Sequence, residues 1–192
     1  MSSNSKSVYE PSMRHFLIAL LLLASSAARA AGELPGDHFT HFAGFDLGKG
    51  TLSDVQARLG ASPLRESGDA GEYEAWICYA TPRGEVRFNS GEMGGGTDLL
   101  GFTISKFEAA DCPLAKSPLP VEIGGLRLGM TRKEFQAATG TDVKWANDLG
   151  TAVFEYRETP AGRLAIDVSI SVIGTFAGDR LVKLAVWKIE TN

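Results

Sequence analysis

The side chains best suited to chemistry lie in one short stretch, Asp37, His38, His41 and Asp46. Two imidazoles three positions apart, flanked by carboxylates, are the residue types from which zinc sites and acid–base pairs are built. A zinc site needs three or four ligands held by supporting hydrogen bonds, and no His follows His41 to supply another. The stretch therefore reads as a solvated N-terminal loop, with no metal and no cofactor assigned, and a metal-dependent enzyme is kept only as a lesser alternative. Thiol chemistry is confined to Cys78 and Cys112. An even pair in an oxidising compartment is most simply a disulfide; two free buried thiols or a catalytic thiol are the competing readings. Gly94-Gly95-Gly96 invites a phosphate-loop reading, but the loop lacks the Lys-Ser/Thr of a P-loop and no clear helix follows. A loop tip fits it better.

The elements around these residues are written twice. Gly44, Leu47 and Gly48 recur as Gly125, Leu128 and Gly129 at an offset of 81, and Thr51, Gln56, Ala57 and Gly60 recur as Thr131, Gln136, Ala137 and Gly140 at an offset of 80. Recurrence at a fixed spacing is the mark of a duplication. Each copy predicts a short extended segment and then a short helix. Thr51 or Ser53 caps the first helix, Leu52, Val55 and Leu59 form its apolar face, and Gly60 ends it; Thr131 and Glu134 make a capping box for the second, which Gly140 ends. Strands follow, turning at Thr81-Pro-Arg-Gly84 in one copy and Thr159-Pro-Ala-Gly162 in the other. The expected fold class is α+β, two tandem repeats, each a short helical element on an antiparallel sheet of three to four strands. Residues 32–107 would be repeat one, 108–124 a Pro-rich connector and 125–192 repeat two.

Residues 1–31 stand apart. Met13-Arg14-His15 leads into the apolar run Phe16–Ala24 and then Ala28-Arg29-Ala30, the pattern of a secretory signal peptide. Nine apolar residues fall short of the roughly 20 a membrane-spanning helix needs, so no membrane anchor is expected in the mature chain. Residues 1–12 look like neither an n-region nor structure, and Met13 is an alternative start. The composition, 44% hydrophobic and 22% charged, is that of a foldable protein, and a net charge of −4 without a basic run gives no reason to bind nucleic acid. Export predicts a periplasmic or secreted location.

Period-two alternation predicts a core face and an outer face on each strand. Trp76, Cys78, Val86, Phe88, Leu100, Phe102 and Ile104 are expected in the core of repeat one, and Leu164, Ile166, Val168, Ile170 and Val172 with Val182, Leu184 and Val186 in that of repeat two. The outer face receives Tyr73, Tyr79, Arg87 and Phe107 from repeat one and Arg157, Arg163, Lys183 and Trp187 from repeat two. Tyr, Trp and Arg among small polar residues are the anchors enriched at protein interfaces. Tyr73, Tyr79, Arg87, Arg157, Lys183 and Trp187 are accordingly the candidate partner-binding residues.

The motif Leu-Gly-x-Thr, an acidic residue, an apolar residue and a Gly nine positions after the Thr, present at Leu128–Gly140 and, with one more residue before the Thr, at Leu47–Gly60, and followed by Trp- and Tyr-bearing strands, resembles the repeat of the secreted β-lactamase inhibitor proteins and of the small lipoproteins of the outer-membrane barrel-assembly machinery. That resemblance implies a helical element on an antiparallel sheet in each half, the two sheets side by side, and outer faces that grip a partner protein without catalytic residues. No Cys for lipid attachment lies near Ala30. The sequence thus points to an exported, non-catalytic module that binds a protein in the cell envelope or outside the cell, with a small-ligand-binding periplasmic protein as the alternative.

Overall fold

The computed structural model describes residues 34–69, 71–106, 111–159 and 164–192. The expected signal peptide, Phe107, Arg163 and most of the Thr159–Gly162 turn lie outside the described residues. Leu34–Asn192 forms one compact unit.

Each recurring segment folds alike. A two-stranded hairpin, β1 (His41–Phe42) with β2 (Phe45–Asp46), precedes α1 (Leu52–Leu59), and a second, β7 (Glu122–Ile123) with β8 (Leu126–Arg127), precedes α2 (Arg132–Thr139). Both helices open on a full capping box. The Thr51 hydroxyl accepts from the Asp54 amide while the Asp54 carboxylate accepts from the Thr51 amide, and Thr131 and Glu134 do the same. In α1 Leu52, Val55 and Leu59 are buried, the three positions the apolar period marks.

The remaining strands overturn the expected fold class. They are not two sheets, one under each helix. They form a single eight-stranded antiparallel sheet in the order β3 (Arg65–Ser67), β4 (Glu74–Thr81), β5 (Gly84–Gly91), β6 (Gly101–Ser105), β12 (Arg180–Thr191), β11 (Ile166–Ala177), β10 (Leu149–Glu158) and β9 (Val143–Ala146). The seam is the β6–β12 pair, where Phe102 faces Val186 and Ile104 faces Leu184. Joining at β6 and β12 removes the two edges that separate sheets would leave unpaired in mid-molecule. Among the described residues, only two eight-residue α-helices lie beside all this strand, so the fold is mostly β.

One face of the sheet carries the core. A row of fully buried residues runs across six strands, Ile77, Phe88, Phe102, Val186, Val172 and Ala152, each opposite the next. Both helices and both hairpins pack there through Phe42, Leu52, Val55, Leu59, Ile123, Leu126 and Phe135. Phe42, Phe88 and Phe102 form an aromatic knot with ring centroids 5.2 to 6.0 Å apart, in the tilted and edge-on arrangements that ring quadrupoles favour.

The Thr81–Gly84 turn is a two-residue hairpin joining β4 to β5, as its chemistry predicts. Gly84 sits at φ 135°, and a β-carbon there would run into the Ser105 carbonyl. The glycine run, by contrast, is no phosphate cradle: the amides of Gly95, Gly96, Thr97 and Asp98 donate to carbonyls of Gly91, Glu92 and Gly94 within the same turn.

The connector is fastened. Cys78 and Cys112 form a disulfide. Beyond it the Ala80 amide donates to the Pro113 carbonyl at 2.8 Å and the Lys116 amide to the Leu59 carbonyl at 2.8 Å, so residues 112–116 run along the edge of β4 to the end of α1. Among the described residues no helix is long and apolar enough to cross a membrane.

Candidate functional site

Antiparallel register fixes what the second face of the sheet displays. Opposite the core row lies Trp76, Asn89, Gly101, Trp187, Ser171 and Val153, and beside it Cys78, Arg87, Thr103, Ala185, Ile173 and Thr151. Neither α1 nor α2 packs on this side. Small residues form its floor, and the larger side chains stand around them. A β-carbon on Gly101 would meet the Trp187 ring at 2.9 Å, so the indole lies flat across β6 only because position 101 is glycine.

Arg87 is the most constrained cation on this face. Its Nη2 donates to Glu85 Oε1 at 2.6 Å, and its guanidinium lies 5.5 Å from the centroid of the Trp76 ring. Glu85 is 2% exposed, its carboxylate beside the Cys112 sulfur. Removing Glu85 would leave Arg87 without the acceptor that sets its direction, while removing Arg87 would strand a buried carboxylate, the costlier loss. Arg87 Nε is buried and has no hydrogen-bond partner among the described residues. Next to the pair, Asn89 Nδ2 donates to Thr103 Oγ1 at 2.9 Å.

Of the six residues proposed from sequence, five reach this face or its rim. Arg87 and Trp187 are half-buried on the floor and Lys183 is exposed opposite Ser105 and Thr175. Arg157 is exposed near the far edge and pairs with Asp167 at 3.3 Å. Tyr73 lies at the end of β4, its hydroxyl donating to Glu66 Oε1 at 2.7 Å. Tyr79 does not belong with them. It is fully buried, on the core side of β4, and its hydroxyl donates to the Gly60 carbonyl at 2.6 Å. Burial also pushes its phenol above the usual value.

The structure reverses the alternation expected on β4: Ile77 and Tyr79 face the core, while Trp76 and Cys78 face away. Trp76 is therefore a site residue that the alternation pattern placed in the core. Leu164, also expected in the core, is 80% exposed. Leu100, expected there too, instead lines a surface groove with Tyr73, Met93, Trp187 and Ile189.

The Asp–His stretch comes together only pairwise. His41 Nδ1 hydrogen-bonds Asp46 Oδ1 across the β1–β2 hairpin, and Lys49 approaches the same carboxylate at 3.5 Å. Slight burial works against ionisation of Asp46, but the hydrogen bond and charge of His41, with Lys49, outweigh it and hold the carboxyl below its usual value. The His38 ring packs on Phe39, and the Asp37 carbonyl accepts from Thr40. Among the described residues no three His, Cys, Asp or Glu converge on a point where an ion could sit.

No family model, curated protein or solved structure matches the chain.

Proposed function

We propose that this is an exported, non-catalytic protein that binds another protein through the face of its sheet opposite α1 and α2. The observation that carries the reading is the grouping of Trp76, Arg87 and Trp187 around a floor of Gly101, Thr103 and Ala185. Two indoles and an arginine already held by Glu85 offer large contact area at low entropic cost, as interface anchors do. The resemblance to inhibitor and barrel-assembly repeats supports a partner-gripping sheet face, and the disulfide is compatible with a periplasmic or secreted location. The paired His41 and Asp46 give a metal-dependent enzyme no support from geometry.

The test is capture of partners from envelope and culture fractions by the purified chain, with crosslinking and mass spectrometry, beside a Trp76→Ala/Trp187→Ala variant. Crosslinks mapping to β4, β5, β6 and β12 and lost in the variant are expected. Crosslinks confined to the helix side, or unchanged in a variant of unaltered melting behaviour, would sink this face as the site. A groove of about 560 Å³ beside Trp187 favours a small ligand as second reading, since it falls in the range of small-molecule sites; a ligand retained through purification and released on denaturation would support it.

A further inference from the structure

We propose that the groove at the end of the face opposite α1 and α2 docks an extended, cationic segment of the partner protein, its apolar side chains seated between Met93 and Trp187 and its Lys or Arg side chains turned to an acidic rim. The inference rests on the protein-binding reading and adds the chemistry of what is bound. The groove, about 560 Å³, has Tyr73, Leu100, Trp187 and Ile189 for its apolar lining, with Met93 64% exposed on its wall. Every charged residue that lines it is acidic: Glu72, Glu74 and Glu92. Ile189 also lines a neighbouring cavity of about 470 Å³, whose charged residues are again acidic, Glu155 and Asp167. Arg157, the cation beside that second cavity, is already paired with Asp167, and Lys188, between Trp187 and Ile189 on β12, is paired with Glu190.

The lining is fixed in advance. Tyr73 is held by its hydrogen bond to Glu66, and Glu92 Oε2 accepts from the Gly71 amide at 3.0 Å. A preformed groove spares a ligand the cost of ordering it. Its span suits an extended chain. From β4 to β10 the two cavities cross six strands, roughly 24 Å at about 4.8 Å per spacing, the length of about seven extended residues. A compact ligand would occupy only one of the two cavities, and a helix would need about sixteen residues to reach across both, against about seven for an extended chain. Rim carboxylates of one sign, left solvated, attract opposite charge and repel like charge, which sets selectivity and encounter rate more than raw affinity.

The test uses fluorescence anisotropy of three labelled ten-residue peptides, alternating Leu-Lys, Leu-Glu and Leu-Ser, against the full chain. The Leu-Lys peptide is expected to bind at least tenfold more tightly than Leu-Glu and to weaken as salt rises. Glu72 and Glu74 are both exposed, and Glu72→Lys/Glu74→Lys should weaken it about fivefold or more, the sum of two surface charge reversals. Glu122→Lys, an exposed site on the β7–β8 hairpin, should change nothing and so separates the groove from bulk charge. Met93→Ser should weaken all three peptides. Equal binding of the three, unchanged binding by Glu72→Lys/Glu74→Lys, or no binding of Leu-Lys would overturn the proposal. Loss on Trp187→Ala without any charge dependence would overturn the cationic chemistry and leave the binding face standing.

Discussion

Tyr79 shows how little separates a core residue from an interface residue in sequence. The strand Tyr73-Glu-Ala-Trp-Ile-Cys-Tyr-Ala80 is apolar at almost every position, so period two has no contrast from which to choose a phase. Phase is set by pairing: Ile77 falls opposite Phe88 because the turn closes at Thr81 and Gly84. The hydroxyl of Tyr79 then lands on the Gly60 carbonyl, at the end of α1. Tyr79→Phe leaves that carbonyl short of a donor, and its cost should be about 1 to 3 kcal/mol in denaturant unfolding, with partner capture unchanged. Loss of capture without loss of stability would return Tyr79 to the binding face. A second tyrosine supplies a pH signature. Burial first, then the negative charges of Glu158, Asp37 and Glu190, push the Tyr156 phenol up to about 12. The unfolded phenol ionises near its ordinary value of 10.0 while the folded one keeps its proton, so above that pH the unfolded state binds fewer protons and stability falls. Thermal stability should therefore decline between about pH 10 and 12, and Tyr156→Phe should flatten that decline; an equal slope in the variant would refute the assignment.

At the scale of elements, the two helices were legible because their ends are written in side chains: Thr51 with Asp54 and Thr131 with Glu134 satisfy amides that no helix carbonyl can reach. Thr131→Ala should cost about 1 kcal/mol, read as a lower urea midpoint with unchanged slope. A cost near zero would mean that packing of Phe135, and not the cap, holds α2. The N-terminal turn of α2 is held by more than its cap. The Arg132 guanidinium lies 5.0 Å from the Trp145 ring and 5.1 Å from the Phe176 ring, while its Nη1 donates to the Asn147 carbonyl at 3.0 Å. In α1 Leu52 occupies the corresponding position, and the guanidinium over a ring belongs instead to Arg58 in the last turn, 4.9 Å from the Phe45 ring. Strand order was the illegible part. Hairpin turns declare which neighbours pair, but the pairing of β6 with β12 spans some eighty residues, and no local signal encodes it. The candidate face inherited that gap: Trp187 and Arg87 could be chosen by type, whereas Met93 and Ile189 come to line one groove only once the halves share a sheet.

For the whole molecule, that seam decides whether the chain is two folding units or one. Phe102 and Ile104 on β6 pair with Val186 and Leu184 on β12, and all four are at most 2% exposed. Separating the halves would uncover this row and leave two long unpaired edges, so neither half retains a closed core. The disulfide does not compensate, because both its cysteines lie on the first-half side of the seam, on β4 and the connector. A loop of 34 positions is worth about 3 to 4 kcal/mol on the chain-entropy model, and that amount stabilises the first half's attachment of the connector, not the union of the halves. Calorimetry should give a single transition for the oxidised protein, moved to lower temperature but still single in Cys78→Ala/Cys112→Ala. Phe102→Ala should lower stability by about 3 to 5 kcal/mol and shift that one transition as a whole, because the ring belongs to the knot under α1 and also to the seam. Two resolved transitions in either variant, or a fragment 34–106 that melts cooperatively alone, would show that the halves fold separately and merely adjoin.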